Sequence, residues 1–526
     1  MTPQYRLIAL FSLAFAGLYN AVFFNQFARV YPFSVDALSF YIAIFGLIWA
    51  AHALILGLLS SRYSLKPLLV LFALTGGACA YFMATYGVVI DAAMIDSLAA
   101  TDGAEAAGLM SVKMLAYNLG LGALPAWLIV TRTVRFRTTL VELRAKFLFT
   151  ALTLAVAGLS IGSHSADFAS FFREHKTVRY YTNPIGPLYA AIAWARDQST
   201  RPRGNMIASA VSTDAIIDEH AEHGADRELI VMIVGETARA DHFELNGYAR
   251  ATNPRLSGRD DLVSFHQISS CGTSTAVSVP CMFSPDTRSE FDGDSIYLRE
   301  NALDVLTRLG VNVLWRDNNS SSKGVAKRVR YEDFRSPERN PVCDPECRDV
   351  GMLDGLDRYV EEHPTGDILI VLHQMGNHGP EYFKRYPAAF EHFTPTCQTN
   401  QLGDCSREAI INAYDNALRY TDHFIAESID WLEGYPSFET ALLYVSDHGE
   451  SLGENGLYLH GMPYTFAPES QTQVPAILWT GARYDLQAGD LVAAADAAHS
   501  HDQVYCTLLT LFEVATHECG RGLLSP

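Results

Sequence analysis

Two apolar runs decide the fold of the second half of this chain: ELIVMIVG at residues 228–235 and TALLYVSDHG at residues 440–449. Both contain consecutive valine, isoleucine or leucine residues, without the polar alternation of a strand that faces water. Strands of this kind are buried on both faces, as they are in parallel sheets covered by helices. The runs therefore predict an α/β domain with a mostly parallel central sheet flanked by helices.

Three similar runs support that prediction, namely VNVLWRD (311–317), DILIVLHQMG (367–376) and VPAILWTG (474–481). Polar residues of the types that can bind metals or phosphates stand at or just beyond the ends of these strands: Glu236, Asp317, Asn318, His373, His378, Asp447 and His448. In open α/β sheets the binding site lies beyond the carboxyl ends of the strands. We expect these side chains to converge at one edge of the sheet.

Glu236, Asp447 and His448 form the strongest candidate site in this group. A mixed set of carboxylate and imidazole ligands suits zinc. An Asp-His pair is also typical of a simple hydrogen-bonded turn. Here, however, Glu236 ends a neighbouring strand, and Gly235 and Gly449 allow close approach of the backbone. We predict that the three residues hold a metal ion.

A hydroxyl-rich segment, SSCGTSTAVSVPCMFS (269–284), supplies the candidate nucleophiles Thr273, Ser274, Thr275 and Ser278. A hydroxyl beside zinc loses its proton more readily and becomes a nucleophile. A helix that began here would also present its N-terminus to a phosphate. An ordinary loop between the two cysteines is the alternative, and spacing alone does not choose among the four hydroxyls.

Three further polar residues lie in loops near these segments. His378 stands in HQMGNHGP, His460 in GENGLYLHGMPY and Lys323 in DNNSSSKG. Each histidine suits either a second zinc ion or a hydrogen bond to phosphate, although a lone exposed histidine usually has no such role. Lys323 is suited to neutralise a phosphate charge.

The charge of the chain excludes one large class of partner. The net charge is −19, and nearly all the acidic residues follow the first ~165 positions. Nucleic-acid phosphates repel an acidic domain, so we expect no nucleic-acid partner.

Five windows are apolar and long enough to span a membrane, which takes roughly 20 residues: 6–28, 39–60, 67–89, 113–131 and 146–163. They lack the polar stripe that helices of a soluble bundle carry. The first window lacks a convincing cleavage site, and four more spans follow it, so it is not a cleaved signal peptide. We predict a five-helix transmembrane domain over 1–164.

We also predict an interfacial connector over 165–205 and a catalytic domain over 206–526. The connector mixes aromatic and basic residues, which suit the lipid interface, although an ordinary linker fits almost as well.

The positive charges of the connections predict the orientation. Arg6 precedes the first window, and Arg62 and Lys66 separate the second from the third. The fourth connection is the most basic, with Arg132, Arg135, Arg137, Arg144 and Lys146, whereas residues 90–112 contain no lysine or arginine. The positive-inside rule then puts the N-terminus in the cytoplasm. Five spans put everything after residue ~165 on the opposite side, which is the periplasm if the cell is Gram-negative.

Cysteine spacing agrees with an exported domain. Cys79 lies in the third window, and the other eight cysteines follow it as close neighbours. We predict the disulfides Cys271–Cys281, Cys343–Cys347 and Cys397–Cys405. Buried free thiols are the alternative, and the spacing of Cys506 and Cys519 leaves their pairing open.

Taken together, these segments resemble the lipid A phosphoethanolamine transferases, a family that includes the mobile colistin-resistance enzymes. The resemblance covers the whole chain and is most specific in four motifs: VGETARADHFELNGYARATNPRL (234–256), SCGTSTAVSVPCMFS (270–284), DNNSSSKGV (317–325) and SDHGESLGENGLYLHGMPYTFAP (446–468). It implies a catalytic domain of the alkaline phosphatase/sulfatase superfamily.

The resemblance also implies roles for single residues. The zinc ligands of the family fall on Glu236, Thr275, Asp447 and His448, and Thr275 is also the catalytic nucleophile. The substrate-binding positions fall on His378, His460, Lys323, Ser320, Ser97, Thr101 and Glu105. Ser97 stands where the family usually has asparagine, so its role is the least secure of these.

The implied reaction is zinc-dependent transfer of phosphoethanolamine from phosphatidylethanolamine to a phosphate of lipid A, through a covalent intermediate on threonine. It takes place at the bacterial inner membrane, on a monomer with one catalytic zinc ion or two, and gives resistance to polymyxin and other cationic peptides. The alternatives are a lipopolysaccharide core sugar or a periplasmic glucan as acceptor, a phosphatase or sulfatase, and a non-catalytic lipid sensor.

Overall fold

The computed structural model describes residues 3–101, 103–200, 208–217, 227–293, 295–344, 346–520 and 522–525. It divides into two compact units. The first contains Met1–Ile95 and Met110–Thr200, and the second contains Asp96–Leu109 and Arg201–Pro526. The segment Asp96–Leu109, which lies between two of the predicted spans, therefore groups with the second unit.

The five predicted membrane spans are confirmed as helices within the described residues. They are Pro3–Val30, Leu38–Leu59, Leu65–Tyr86, Val112–Thr131 and Thr139–Ser163. The first consists of α1 (Pro3–Gly17) and α2 (Ala21–Val30), and the second and third are α3 (Leu38–Leu59) and α4 (Leu65–Tyr86). The fourth contains α7 (Val112–Tyr117) and α8 (Leu124–Thr131), and the fifth is α9 (Thr139–Ser163).

The last span begins at Thr139, seven positions before the predicted window. Its first turns carry Glu142, Arg144 and Lys146, which lowered the apparent hydropathy of the segment. Long charged side chains at a helix end can extend to the membrane interface, so they do not interrupt the helix.

Close packing in the first unit depends on small residues of α4. A Cβ on Gly77 would lie 2.8 Å from the backbone nitrogen of Gly122, and one on Gly76 would lie 2.6 Å from the ring of Tyr19. Glycines at such positions let helices approach closely inside a membrane. The carbonyl of Gly76 also accepts a hydrogen bond of 2.8 Å from Asn183 Nδ2, which fastens the predicted connector to α4.

Short helices fill the remaining connections. The predicted connector contains α10 (Ser165–Glu174), α11 (Lys176–Arg179) and α12 (Ile185–Thr200). The segment between the third and fourth spans contains α5 (Ala92–Ala100) and α6 (Gly103–Gly108).

The second unit has a central sheet of eight strands among its described residues. These strands are β2 (Arg227–Gly235), β3 (Leu262–Ser269), β4 (Asn312–Asp317), β5 (Arg330–Asp333), β6 (Ile368–His373), β7 (Phe438–Ser446), β10 (Gln473–Thr480) and β11 (Ala498–Ser500). Their order across the sheet is β11-β3-β10-β7-β2-β6-β4-β5. β10 is antiparallel to both of its neighbours, and the other pairs are parallel. The prediction of a mostly parallel α/β sheet is confirmed.

The part of the chain that the structure describes also contains two small sheets. In one, β1 (Ile216–Ile217) pairs with β12 (Val514–Ala515), and in the other, β8 (Ser451–Leu452) pairs with β9 (Tyr458–Leu459). The helices of this unit are α13 (Thr275–Met282), α14 (Ser295–Leu298), α15 (Ala302–Arg308), α16 (Leu356–Glu362), α17 (Arg407–Glu433), α18 (Glu469–Thr472), α19 (Val492–Ala495) and α20 (Val504–Leu511).

The position of β2 between two hydrophobic clusters explains why its sequence is continuously apolar. Ile230, Met232 and Val234 belong to one buried cluster, whereas Leu229 and Ile233 belong to a second cluster that includes residues of α17. Successive side chains of a strand point to opposite faces, so a strand between two cores has no polar positions to offer.

All three predicted disulfides are present, and Cys506 and Cys519, left open by the sequence, also form one. Among the described residues Cys79 is the free cysteine.

Candidate active site

The ends of β2 and β7 bring Glu236, Asp447 and His448 together. Each residue offers one ligand atom, and these atoms all lie within 4.8 Å of one another. All three side chains are fully buried. The two strands are adjacent and parallel, with Gly235 opposite Ser446 in the register, so the residues that follow them reach the same place.

The glycines that flank the cluster are required by close packing. A Cβ on Gly235 would lie 2.6 Å from the hydroxyl of Tyr444, and one on Gly449 would lie 2.1 Å from the carbonyl oxygen of Ser470. No side chain fits at either position without displacing its neighbours.

The oxygens of Asp447 are used unequally. Its Oδ1 accepts hydrogen bonds from the backbone nitrogens of Thr237 at 3.1 Å and His448 at 2.7 Å. Its Oδ2 is buried and lies 3.3 Å from His448 Nε2, but it has no hydrogen-bond partner within the described parts of the chain. A buried carboxylate oxygen normally has a partner. An unpartnered oxygen beside a second carboxylate and an imidazole therefore fits a metal ion.

Electrostatics favour the same interpretation. Burial raises the pKa of Asp447, and the charge on Glu236 raises it further. Burial also opposes ionisation of Glu236, but the neighbouring His448, followed by His378 and His460, lowers its pKa overall. A cation among these ligands would offset the repulsion between the two carboxylates.

The candidate nucleophile Thr275 is the first residue of α13. Its Oγ1 donates a hydrogen bond of 3.1 Å to Glu236 Oε2 and lies 3.4 Å from His448 Nε2. Two of the other hydroxyls are engaged elsewhere: Thr273 Oγ1 donates to the carbonyl of Met462 at 2.7 Å, and Ser278 Oγ accepts a bond from Gly272 N at 2.9 Å. The geometry thus separates Thr275 from Thr273 and Ser278, which spacing did not.

Two contacts hold the loop that carries this threonine. The Cys271–Cys281 disulfide ties the loop to α13. The backbone nitrogen of Cys271 donates to His501 Nδ1, and His501 Nε2 lies 3.0 Å from the carbonyl of Ser446, at the end of β7. Burial lowers the pKa of His501 to about 3, so it is neutral and can accept at Nδ1 while it donates at Nε2.

His378 and His460 lie beside the cluster. Their ring centres are 5.8 Å apart, and the ring of His460 is 4.3 Å from that of His448. Glu450 Oε2 lies 3.5 Å from His460 Nδ1. Burial opposes the charged form of His460, but Glu450 outweighs it and raises the pKa of His460 to about 9.

The loop after β4 is shaped by a buried carboxylate. Asp317 accepts hydrogen bonds from Trp315 Nε1 at 2.9 Å and from the backbone nitrogens of Asn319 and Ser321 at 3.1 Å, and its Oδ2 lies 3.0 Å from His373 Nδ1. Asp317 and His373, which the sequence predicted at strand ends, therefore do not belong to the ligand cluster. They lie next to each other, and Asp317 holds the backbone of the loop that follows β4.

The same loop contacts Glu236 directly. Asn319 Nδ2 donates hydrogen bonds to Glu236 Oε2 at 2.7 Å and to the carbonyl of Gln374 at 2.9 Å. Lys323 Nζ donates to the carbonyl and the hydroxyl of Ser320, at 2.9 and 2.8 Å. The structure thus pairs the two substrate-binding candidates of this loop.

A cavity of about 280 Å³ opens next to these residues, lined in part by Asn319, Ser320, His378 and Gly108. Gly108 belongs to the segment between the third and fourth spans, and its carbonyl accepts a 2.7 Å hydrogen bond from Asn400. On that segment Thr101 Oγ1 donates to the carbonyl of Ser97 at 3.0 Å. The side chain of Glu105 lies outside the described residues.

Sequence reasoning missed Thr237 and Asn319, which both hydrogen-bond to Glu236. Asn319 stands two positions after the end of a predicted strand, so its place in the chain was the available signal. For Thr237 the signal was its position next to a predicted ligand.

Five apolar helices followed by an α/β domain with a buried carboxylate-imidazole cluster and a threonine at a helix start define a class: a membrane-anchored enzyme of the alkaline phosphatase/sulfatase superfamily. Comparison with known proteins agrees. A sulfatase family model matches residues 228–514, and a model described as phosphoethanolamine transferase EptA/EptB matches residues 48–199. The chain belongs to the phosphoethanolamine transferase family and is an integral membrane protein.

Several relatives match almost the whole chain. Phosphatidylethanolamine transferase Mcr-2 of Escherichia coli is 45% identical over 97% of this chain and 95% of its own length. Phosphoethanolamine transferase EptA of Escherichia coli K12 is 38% identical, with 94% and 92% covered. The solved structure of the integral membrane lipooligosaccharide phosphoethanolamine transferase A of Neisseria meningitidis is 32% identical, covers 98% of this chain and 97% of that one, and has a TM-score of 0.93.

Proposed function

We propose that the chain transfers phosphoethanolamine from phosphatidylethanolamine to a phosphate of lipid A, with zinc as cofactor and a covalent intermediate on Thr275. The observation that carries the proposal is the position of Thr275 Oγ1, 3.1 Å from Glu236 and 3.4 Å from His448. That hydroxyl stands at the metal-ligand cluster and at the start of a helix, where a phosphate is stabilised.

The names of relatives support phosphatidylethanolamine as the donor and an acceptor that contains lipid A. The 45% identical relative is named a phosphatidylethanolamine transferase. Another, 28% identical over 81% of this chain, is named Kdo(2)-lipid A phosphoethanolamine 7''-transferase. A solved domain from Campylobacter jejuni, 41% identical, is described as the C-terminal periplasmic domain of its transferase. We place the catalytic unit of this chain in the periplasm accordingly.

Glu236, Thr275, Asp447 and His448 would hold the zinc ion. The buried, unpartnered Asp447 Oδ2 supports this assignment, since the donor set is of the mixed N/O type that zinc prefers. A bound zinc ion supplies positive charge next to Thr275 Oγ1, which makes the hydroxyl more acidic and offsets charge on a phosphate.

In the first half-reaction, Thr275 Oγ1 attacks the phosphorus of phosphatidylethanolamine. A bond forms between the threonine oxygen and phosphorus, and the bond from phosphorus to the diacylglycerol oxygen breaks. Thr275 Oγ1, which donates a hydrogen bond to Glu236 Oε2, loses its proton as it attacks, and the departing diacylglycerol oxygen takes up one proton, so the protons balance. Phosphoethanolamine remains on Thr275.

In the second half-reaction, a phosphate oxygen of lipid A attacks the same phosphorus. The bond from phosphorus to Thr275 Oγ1 breaks as the new phosphorus–oxygen bond forms, which joins the two phosphates as a diphosphate. The threonine oxygen takes up a proton from the attacking phosphate or from water. The added ethanolamine ammonium reduces the negative charge of lipid A, which weakens its attraction for polymyxin and other cationic peptides.

The remaining predicted residues fit substrate binding. We assign His378, His460 and the Lys323–Ser320 pair to the phosphoethanolamine group, because they lie beside the cluster or line the adjoining cavity. We assign Ser97, Thr101 and Glu105 to the lipid donor. The grouping of Asp96–Leu109 with the catalytic unit supports this assignment.

Mass spectrometry of lipid A from cells with and without the chain tests the proposal. One added phosphoethanolamine on lipid A, absent with the Thr275→Ala variant, is the expected result. The same addition on the core oligosaccharide or on a periplasmic glucan would contradict the acceptor. Release of free phosphoethanolamine without any modified acceptor would contradict transfer altogether.

A further inference from the structure

Thr237, the residue after Glu236, has an unusual backbone conformation. Its φ angle is +59°, in the left-handed region, and its side chain is fully buried. A β-branched residue is unfavourable in this region and persists there only when its surroundings hold it in place.

The contacts of Thr237 show what holds it. Its backbone N–H donates to Asp447 Oδ1 at 3.1 Å, and its hydroxyl donates to Glu236 Oε1. Its carbonyl accepts a 2.7 Å hydrogen bond from the hydroxyl of Tyr414 on α17. The same hydroxyl accepts a 2.9 Å hydrogen bond from the backbone nitrogen of Arg239. One residue therefore bonds to both carboxylates of the cluster and is anchored to a long helix.

These bonds leave specific oxygens for a ligand. Asp447 Oδ1 is occupied by two backbone donors, so Oδ2 is the oxygen that remains. Glu236 has Thr237 on Oε1, with Asn319 and Thr275 on Oε2, so the plane of its carboxylate is fixed from both sides. Donors of this kind orient metal ligands and tune their affinity.

We propose that Thr237 is the positioning residue that sets both carboxylates for metal binding, a role that rests on the zinc site of the proposed function. Glycine would tolerate φ of +59° better than threonine does, but glycine has no hydroxyl to donate to Glu236. A turn alone would be satisfied by glycine at this position. The presence of threonine, in spite of its strained backbone, is therefore explained by the hydrogen bond with which its hydroxyl orients Glu236.

The test compares three substitutions in the full-length protein in detergent micelles. Thr237→Val removes the hydroxyl and keeps the shape, Thr237→Gly removes the hydroxyl and relieves the backbone, and Thr237→Ser keeps the hydroxyl. Thr252→Val is the matched control, because Thr252 is a fully buried threonine whose hydroxyl bonds to the carbonyl of His242 and not to the cluster. Zn²⁺ affinity is measured by competition with a chelator, the visible spectrum is recorded with Co²⁺, and the melting temperature is measured without metal.

We expect Thr237→Val and Thr237→Gly to bind Zn²⁺ about 10–100-fold more weakly and to change the Co²⁺ spectrum. Thr237→Ser and Thr252→Val should bind like the wild type. A metal-free Thr237→Gly variant that melts close to the wild type would separate this loss from misfolding. Wild-type affinity in both hydroxyl-free variants, or Thr237→Ser as weak as Thr237→Val, would overturn the role of Thr237. Absence of Zn²⁺ binding by the wild type would instead overturn the proposed metal site.

Discussion

At the level of single residues, the decisive prediction concerns Thr275. Thr275→Ala should lower transfer by about a thousandfold or more, because no other hydroxyl of the loop replaces a removed nucleophile. Thr273→Ala and Ser278→Ala should keep measurable transfer, since those hydroxyls bond to Met462 and Gly272 instead. Full-length protein incubated with phosphatidylethanolamine should carry a phosphoethanolamine adduct on the peptide 271–281. An adduct on Ser274 would refute the position, and an active Thr275→Ala variant would refute the covalent mechanism.

The other end of β2 carries a pH-sensitive residue away from the site. Glu228 is 8% exposed, its backbone nitrogen bonds to Asp367, and Glu439 is its register partner on β7. Burial raises the pKa of Glu228 to about 9, with further increases from Asp367 and Glu513. The folded protein therefore holds a proton that the unfolded chain loses above about pH 4.5.

The stability of the fold should then fall as pH rises from about 4.5 to about 9, because the unfolded state binds fewer protons over this interval. Glu228→Gln should flatten that fall in the melting temperature of the full-length protein. Glu408→Gln, at an exposed position in the first turn of α17, should keep it. An unchanged slope in Glu228→Gln would show that Glu228 is not the responsible group.

At the level of elements, the five interior strands with continuous apolar runs were predictable, whereas the interior strand β3, with the mixed sequence LVSFHQIS, and the edge strands were not. β2, β4, β6, β7 and β10 contain the apolar runs of the sequence. By contrast, β5 is the polar segment RYED, and β11 has three residues, so neither gives a buried pattern. Short polar strands are typical of sheet edges. The antiparallel orientation of β10 depends on how the chain connects it to its neighbours, and the hydrophobic pattern of a strand does not predict that.

The candidate site also contains some residues that the sequence could locate and others that it could not. The proposed ligands Glu236 and Asp447 follow strand ends, which a sequence pattern can locate. Thr237 and Asn319 act through hydrogen bonds that exist only once distant segments pack together. Asn319 and Glu236 are 83 residues apart in the chain, and Thr237 and Asp447 are 210 apart.

Removal of the Cys271–Cys281 disulfide should lower the rate of transfer more than its effect on the stability of the fold would explain. Replacing both cysteines with serine should cost about 3 kcal/mol of stability, as should the same change at Cys506–Cys519, because the closed loops are of similar length. Only the first pair ties down the loop that carries Thr275. The measurements are the melting temperature and the transfer rate at a temperature where both variants are folded. Equal loss of transfer in the two would contradict this role.

At the level of the whole molecule, two segments distant in the chain must lie on one side of the membrane. Asp96–Leu109 and Arg201–Pro526 form one compact unit, and two spans, Val112–Thr131 and Thr139–Ser163, lie between them in the chain. An even number of spans returns the chain to the same side, so the topology and the fold agree.

The last prediction follows from that agreement: the positive charges of the connections determine which side of the membrane each segment occupies. Arg132, Arg135 and Arg137 follow the fourth span, whereas residues 90–112 carry no lysine or arginine. Because positive loops remain in the cytoplasm, alkaline phosphatase fused after residue 205 or within 90–112 should be active, and a fusion within 132–146 should be silent. A cytoplasmic reporter at the same points should give the opposite pattern. Activity at 132–146 with silence after 205 would invert the topology and place the catalytic unit away from the periplasm. Opposite results at 90–112 and after 205 would contradict the compact unit itself.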